Sequence, residues 1–363
     1  MSNNLYFAYG SNLNQDDFRA WCRERGCQQD LLHFKGKAHL PDFDLAFSYR
    51  SATRHGGVLD IRERIGQLVP GVLFEVRGNG WSALDAKEGA PNVYQRTDVT
   101  VLDERGIELP ATTYRVNETR AKSYVTPDDK YIAIVRKGLE HWGFSAELLL
   151  AAAANEKSSC PEGFFFYGTL MRGESRFEVL RRFGIECVLL ASTFGRLVDL
   201  GAFPGLIDVC DNQSMVQGEF VRLPSPEEAI PILDTIEGFR GFGMRGSLYR
   251  RTWIGVDVGD GRIRKAWAYC LESGADRATL IPSGDWRTHC KNFERFLEQL
   301  AAAHSKGDER SLAVRIADML PFCFNEDQSR RFQSLLPLSE ALAKGLVSER
   351  KLAQASGLWS AIP

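Results

Sequence analysis

The 363-residue chain contains no Cys-x-x-Cys pair. Its eight cysteines, at 22, 27, 160, 187, 210, 270, 290 and 323, mostly stand alone, and its six histidines are scattered. That spacing argues against a structural zinc site and against a disulfide framework. No run of about 18 apolar residues is present, so no membrane-spanning helix is expected, and the opening MSNNLYFAYG lacks the basic-then-apolar pattern of a secretion signal. Charge of one sign is missing too: 45 basic against 47 acidic residues, with a pI near 6.4, give no broad positive field for nucleic acid or an anionic bilayer. The expectation is a reduced, cytoplasmic protein with neither a nucleic-acid nor a membrane partner. With 44% hydrophobic residues the chain can bury more than one core, and two domains with a short tail fit its length.

What is present is a repeat. LYFAYGSNL at 5–13 and FFFYGTLMRG at 164–173 are short aromatic runs that end in Tyr-Gly-Ser/Thr and lead into helix-forming sequence. LVPGVLFEV at 68–76 is matched by MVQGEFVRL at 215–223, and WSALDAKEG at 81–89 by IPILDTIEG at 230–238. Tyr94 to Arg96 and Tyr249 to Arg251 then open another alternating strand. Four landmarks in one order indicate duplication, with surface-loop insertions separating the copies.

The expected layout is α/β (α+β), two tandem domains over 1–155 and 163–300, joined by a polar linker at 156–162 and followed by a helical extension over 301–363. In each copy strands outnumber helices. The first has candidate strands at 4–9, 43–48, 57–61, 69–76, 96–102 and 109–116, and helices near 14–25, 81–86 and 128–141. The second has candidate strands at 163–167, 188–194, 206–209, 216–223, 251–258 and 264–271. A small mixed, curved sheet or partly closed barrel with flanking helices accommodates this pattern; alternation does not give strand order.

Three features carry chemistry. The glycine of the Tyr-Gly turn lets the backbone approach a ligand or take positive φ, and free amides there, at the start of a helix, can hold a carboxylate or phosphate. Ser11 and Asn12 add donors in the first copy, and Thr169 adds a hydroxyl in the second. A capped tight turn is the plain alternative, and the Walker pattern is absent. Glu88 and Glu237 each follow an apolar helical turn and precede a glycine suited to ending it. Turned inward, such a carboxyl gains proton affinity and can accept and return a proton near neutrality; turned outward it is merely solvated. Tyr94, Tyr131 and Tyr249 could hydrogen-bond the glutamate or a ligand, and Arg96, Arg250 and Arg251 could attract carboxylates. Arg50 and Arg54 hint weakly at a positive mouth. The glycine-rich FRGFGMRGSLY stretch of the second copy is a candidate lid or a plain hairpin.

At these residues the sequence resembles the gamma-glutamylcyclotransferase-like superfamily, which includes the AIG2-like proteins. Tyr9-Gly10-Ser11-Asn12-Leu13, Gly56-Gly57-Val58, Pro70-Gly71-Val72, Leu84-Asp85, Glu88-Gly89, Tyr94 and the PDDKY segment around Tyr131 follow the family's order in the first copy. Tyr167-Gly168-Thr169-Leu170, Phe203-Pro204-Gly205, Gly218, Leu233-Asp234, Glu237-Gly238 and Tyr249 follow it in the second, with leucine in place of the asparagine. The resemblance implies a small barrel and a reaction without metal or cofactor. The amine of a small-molecule γ-glutamyl substrate attacks its own γ-carbonyl and releases 5-oxoproline. It gives Glu88 and Glu237 the acid–base role, and it gives the turns 9–13 and 167–171 the α-carboxylate. Hydrolysis or acyl transfer of a γ-glutamyl amide, and a non-catalytic binding module for a carboxylated metabolite, are the alternatives. The leaving amine, the number of working domains, and the oligomeric state stay open at this level.

Overall fold

The computed structural model describes residues 4–291 apart from 29, 158–159, 201–202, 208–212 and 275–277. The end of the second domain beyond residue 291 and the helical extension expected over 301–363 lie outside the described residues. Two five-stranded barrels follow one another. The first is built from β1 (Leu5–Ala8), β2 (Leu32–Ser51), β3 (Gly56–Val76), β4 (Tyr94–Asp103) and β5 (Glu108–Val116), in the order β1-β3-β2-β4-β5. All pairings are antiparallel except β1 with β5, joined at Tyr6 and Thr112, which closes the barrel. Helices α1 (Gln15–Glu24), α2 (Gly80–Glu88), α3 (Asp129–His141) and α4 (Glu147–Ala153) flank it.

The second barrel uses β6 (Gly163–Phe166), β7 (Cys187–Phe194), β10 (Met215–Arg222), β11 (Tyr249–Asp257) and β12 (Ile263–Leu271). Its cyclic order repeats that of the first, and again a single parallel pair, β6 with β12, closes it. A small sheet of β8 (Arg196–Asp199), β9 (Pro204–Ile207) and β13 (Thr279–Leu280) and two helices, α5 (Phe177–Arg181) and α6 (Pro226–Ile236), make up the rest of its described residues' regular structure. The expected strands are found among the described residues, that at 206–209 as far as Ile207, with one change of scale. The separate strands foreseen at 43–48, 57–61 and 69–76 are parts of two arms of 20 and 21 residues, bent by bulges near Phe34, Pro41 and Phe47 so that they can wrap.

The repeat has a packing cause. A Cβ on Gly71 would stand 2.4 Å from the Ala8 carbonyl oxygen and 2.5 Å from the Phe7 ring; one on Gly218 would stand 2.4 Å from the Phe166 oxygen and 2.7 Å from the Phe165 ring. Each glycine therefore lets an aromatic side chain of the first strand lie flat over the neighbouring strand. Tyr9 and Tyr167 donate from their hydroxyls to the carbonyls of Tyr114 and Tyr269, at 2.7 and 2.5 Å. The hydroxyls of Tyr114 and Tyr269 in turn reach Asp85 and Asp234, both at 2.7 Å.

The barrels meet through the bulge of the long hairpin. Asp42, at φ 61°, accepts the Gly66 amide at 2.8 Å and pairs with both ends of the buried Arg251 guanidinium, at 2.6 and 3.0 Å. Trp267 Nε1 donates to the Gly66 carbonyl at 2.9 Å, and Leu68 and Leu102 of the first barrel join the core of the second. The contact is not reciprocal: Arg96, the counterpart of Arg251, pairs only within its own domain, with Asp85.

Candidate functional site

In the first domain β1 runs into a single 3-10 turn, Ser11–Leu13, before α1. Asn14 caps α1 by accepting the amides of Asp16 and Asp17. The turn is braced from behind by α3, where Gly138 lets the helix approach Leu13 and Trp142 Nε1 donates to the Leu13 carbonyl at 2.9 Å. Gly10 does not take positive φ (−110°), and an added Cβ would lie 3.9 Å from the Tyr131 hydroxyl, with no contact closer. Gly10 thus keeps a space open beside Tyr131. Among the described residues the amides of Ser11 and Asn12 have no acceptor, whereas Leu13 donates to the Gly10 carbonyl. That corrects the sequence expectation for Leu13: its amide is spent closing the turn and its side chain is in the core.

Glu88 ends α2, and Gly89 follows at φ +65°, the left-handed cap anticipated for it. The Asn12 side-chain Nδ2 donates to Glu88 Oε1 and to the Tyr6 hydroxyl, both at 2.8 Å, so one side chain ties the turn to the carboxylate. Lys87 donates to Asn12 Oδ1 at 2.9 Å and pairs with Asp17 at 3.1 Å; Arg54 grips Asp17 with 2.8 and 3.0 Å contacts. Burial raises the proton affinity of Glu88, against the pull of Lys87 and the Asn12 hydrogen bond. Tyr94 donates to the Leu59 carbonyl at 2.6 Å, and Tyr131 accepts the Leu59 amide at 3.3 Å. The hydroxyl proton of Tyr131 therefore remains available to a ligand.

The second domain brings together Tyr167, Gly168, Thr169, Leu170, Glu237 and Tyr249 around a cavity of about 80 Å³, whose wall also includes Arg176, Phe203 and Leu248. Tyr249 donates to the Pro204 carbonyl at 2.7 Å, as Tyr94 does to Leu59. The amides of Thr169 and Leu170 have no acceptor among the described residues. Ile236 stands where the first domain has Lys87, and Leu170 where it has Asn12, so Glu237 has no hydrogen-bond partner among the described residues. Burial lifts its carboxyl to about 7, with Arg176 opposing.

A family profile described as gamma-glutamyl cyclotransferase, AIG2-like, matches residues 6–133 and 164–288. The chain belongs to the AIG2-like gamma-glutamyl cyclotransferase family. Over 148 residues, 39% of the chain, it is 32% identical to the gamma-glutamylcyclotransferase of Bos taurus and 30% identical to that of Homo sapiens, covering 73% of each. A solved structure titled gamma-glutamyl cyclotransferase is similar at 28% identity over 41% of this chain and 86% of its own, with a TM-score of 0.36.

Within this AIG2-like pair of domains, several sequence expectations land elsewhere. Arg96, Arg250 and Arg251 are committed to structural partners: Arg96 to Asp85, Arg251 to Asp42 and Asp234, and Arg250 to Glu272 and the Gly106 carbonyl. Tyr9 and Tyr167 spend their hydroxyl protons on backbone carbonyls. The glycine-rich stretch does not form a lid. Phe239 and residues 243–247 line a cleft of about 630 Å³ against Thr100, Ile107 and Glu108 of the first barrel, and Gly243 donates to Glu108 at 2.7 Å; the last two residues of the stretch, Leu248 and Tyr249, border the second domain's cavity. Four contributors escaped the sequence reading: Tyr6, Asp17, Lys87 and Arg176. Comparing the copies would have exposed Tyr6 and Lys87, which align with Phe164 and Ile236.

Proposed function

We propose that the first domain catalyses intramolecular cyclotransfer, releasing 5-oxoproline and an amine from a small γ-glutamyl substrate. The observation that carries this reading is the Glu88 carboxylate, fixed by Asn12 at 2.8 Å and raised in proton affinity by burial, next to a turn with two free amides. The amides of Ser11 and Asn12 hold the substrate's α-carboxylate. Glu88 takes a proton from the α-ammonium, and the freed amine attacks the γ-carbonyl carbon. As the tetrahedral centre collapses, the C–N bond to the leaving amine breaks and Glu88 returns that proton to the departing nitrogen, while the ring nitrogen gives up its second proton to solvent or to the freed amine. Tyr131 supplies the donor for the γ-carbonyl oxygen as its charge grows. Holding one rotamer of an already tethered amine is a large part of the task, and a rigid turn braced by α3 suits it. Six described cysteines are thiols, which supports a reducing compartment such as the cytoplasm.

The test is 5-oxoproline release, read by mass spectrometry, from γ-glutamyl dipeptides and γ-glutamyl-amines with the native chain, Glu88→Gln, Glu237→Gln and the double variant. Loss in Glu88→Gln is expected. Free glutamate as the only product would instead indicate hydrolysis, and ligand-induced stabilisation without any product would indicate a binding module.

A further inference from the structure

The two sites differ in the way charge is disposed around the glutamate. In the first domain the cations Lys87 and Arg54 both pair with Asp17. In the second, Arg176 is the one charged side chain besides Glu237 on the cavity wall among the described residues. Its guanidinium has no hydrogen bond and no ion pair among the described residues; its charged end lies 5.9 Å from the centre of the Phe203 ring. Its backbone is fixed at the turn itself, since the Arg176 amide donates to the Thr169 carbonyl at 2.9 Å. An unpaired guanidinium beside two unpaired amides, those of Thr169 and Leu170, is an arrangement that wants an anion. The Glu237 carboxyl, whose proton affinity Arg176 lowers, forms no ion pair or hydrogen bond with it among the described residues.

We infer that Arg176 is the specificity-determining residue of the second site, where it holds the carboxylate of a γ-glutamyl ligand whose remainder is apolar. This rests on the cyclotransfer reading for the identity of the ligand. The free amides of Thr169 and Leu170 and the Arg176 guanidinium put the carboxylate end of the ligand at the turn. The rest of the ligand then crosses the rim formed by Phe203, Ile236 and Leu248, none of which offers a polar partner. Around the first site's glutamate stand the polar side chains of Asn12, Lys87, Asp17 and Arg54, with Lys87 and Arg54 both paired to Asp17.

The experiment uses the full chain carrying Glu88→Gln, with and without Arg176→Met or Arg176→Lys. Three probes are titrated calorimetrically: γ-glutamyl-butylamide, its decarboxylated counterpart 4-aminobutanoyl-butylamide, and γ-glutamyl-aspartate. Binding that disappears in Arg176→Met belongs to the second site. The expected result is that γ-glutamyl-butylamide binds best and that Arg176→Met weakens it about 10- to 100-fold, the range for a hydrogen bond to a charged group. Arg176→Lys should restore most of the loss, and 4-aminobutanoyl-butylamide should be indifferent to residue 176. Where 5-oxoproline is released, KM should move with little change in kcat. Equal binding of the carboxylated and decarboxylated probes, an unchanged affinity in Arg176→Met, or no binding to the second site overturns the inference. Arg176-dependent binding with no 5-oxoproline upholds it and overturns cyclotransfer at that site.

Discussion

Replacing Glu237 by glutamine removes a charge and keeps the shape in a cavity whose rim is mostly apolar. A carboxyl that sits near 4.5 in the unfolded chain and at about 7 in the fold binds its proton more tightly when folded. Its contribution to stability is therefore complete below about pH 4.5, fades as the pH rises, and is gone once the pH passes 7. At about 1.4 kcal/mol per unit of displacement, the ionised form costs the fold up to roughly 3 kcal/mol. Glu237 keeps some contact with water, so about 1–3 kcal/mol is expected. Glu237→Gln should thus be more stable than the native chain at pH 8.5 by that amount, and the gain should shrink towards zero at pH 4.5. The assay is urea unfolding of both proteins at several pH values, followed by tryptophan fluorescence, with Trp267 and Trp286 buried in the second domain as reporters. A difference that does not change with pH would refute the reasoning, because it would mean that the carboxylate is as well solvated in the fold as outside it.

Other outcomes follow from the same geometry. Asn12→Ala removes the bond that fixes Glu88 and favours its ionised form; 5-oxoproline release at the first site should fall about 10²-fold, and the acidic limb of its pH–rate profile should move to higher pH. Gly71→Ala and Gly218→Ala each force a methyl to 2.4 Å from a backbone oxygen, so each should cost its barrel about 3 kcal/mol or more in thermal unfolding. Gly10→Ala meets nothing closer than 3.9 Å and should leave stability within about 1 kcal/mol while raising KM. Arg251→Met strands Asp42 and Asp234; a loss of about 3–5 kcal/mol is expected, with the calorimetric transitions of the two barrels separating.

The sequence by itself determined the duplication, the strand positions, the helix-ending glycines and the pairing of a turn with a glutamate, because each is written locally: in alternation, in a residue without Cβ, or in a repeated spacing. It could not give the strand order, since the closing pairs Tyr6 with Thr112 and Trp267 with Phe164 join segments about a hundred residues apart. Nor could it assign the arginines. Arg96 and Arg251 occupy the same place in the repeat, yet one pairs only within its own barrel and the other also bridges to Asp42, a choice made by the bulge of a distant hairpin. Asn12 and Glu88 are likewise ordinary polar residues until the fold brings them to 2.8 Å. Proton affinity, charge pairing and access depend on what surrounds a side chain in space, and only the tertiary structure decided those surroundings.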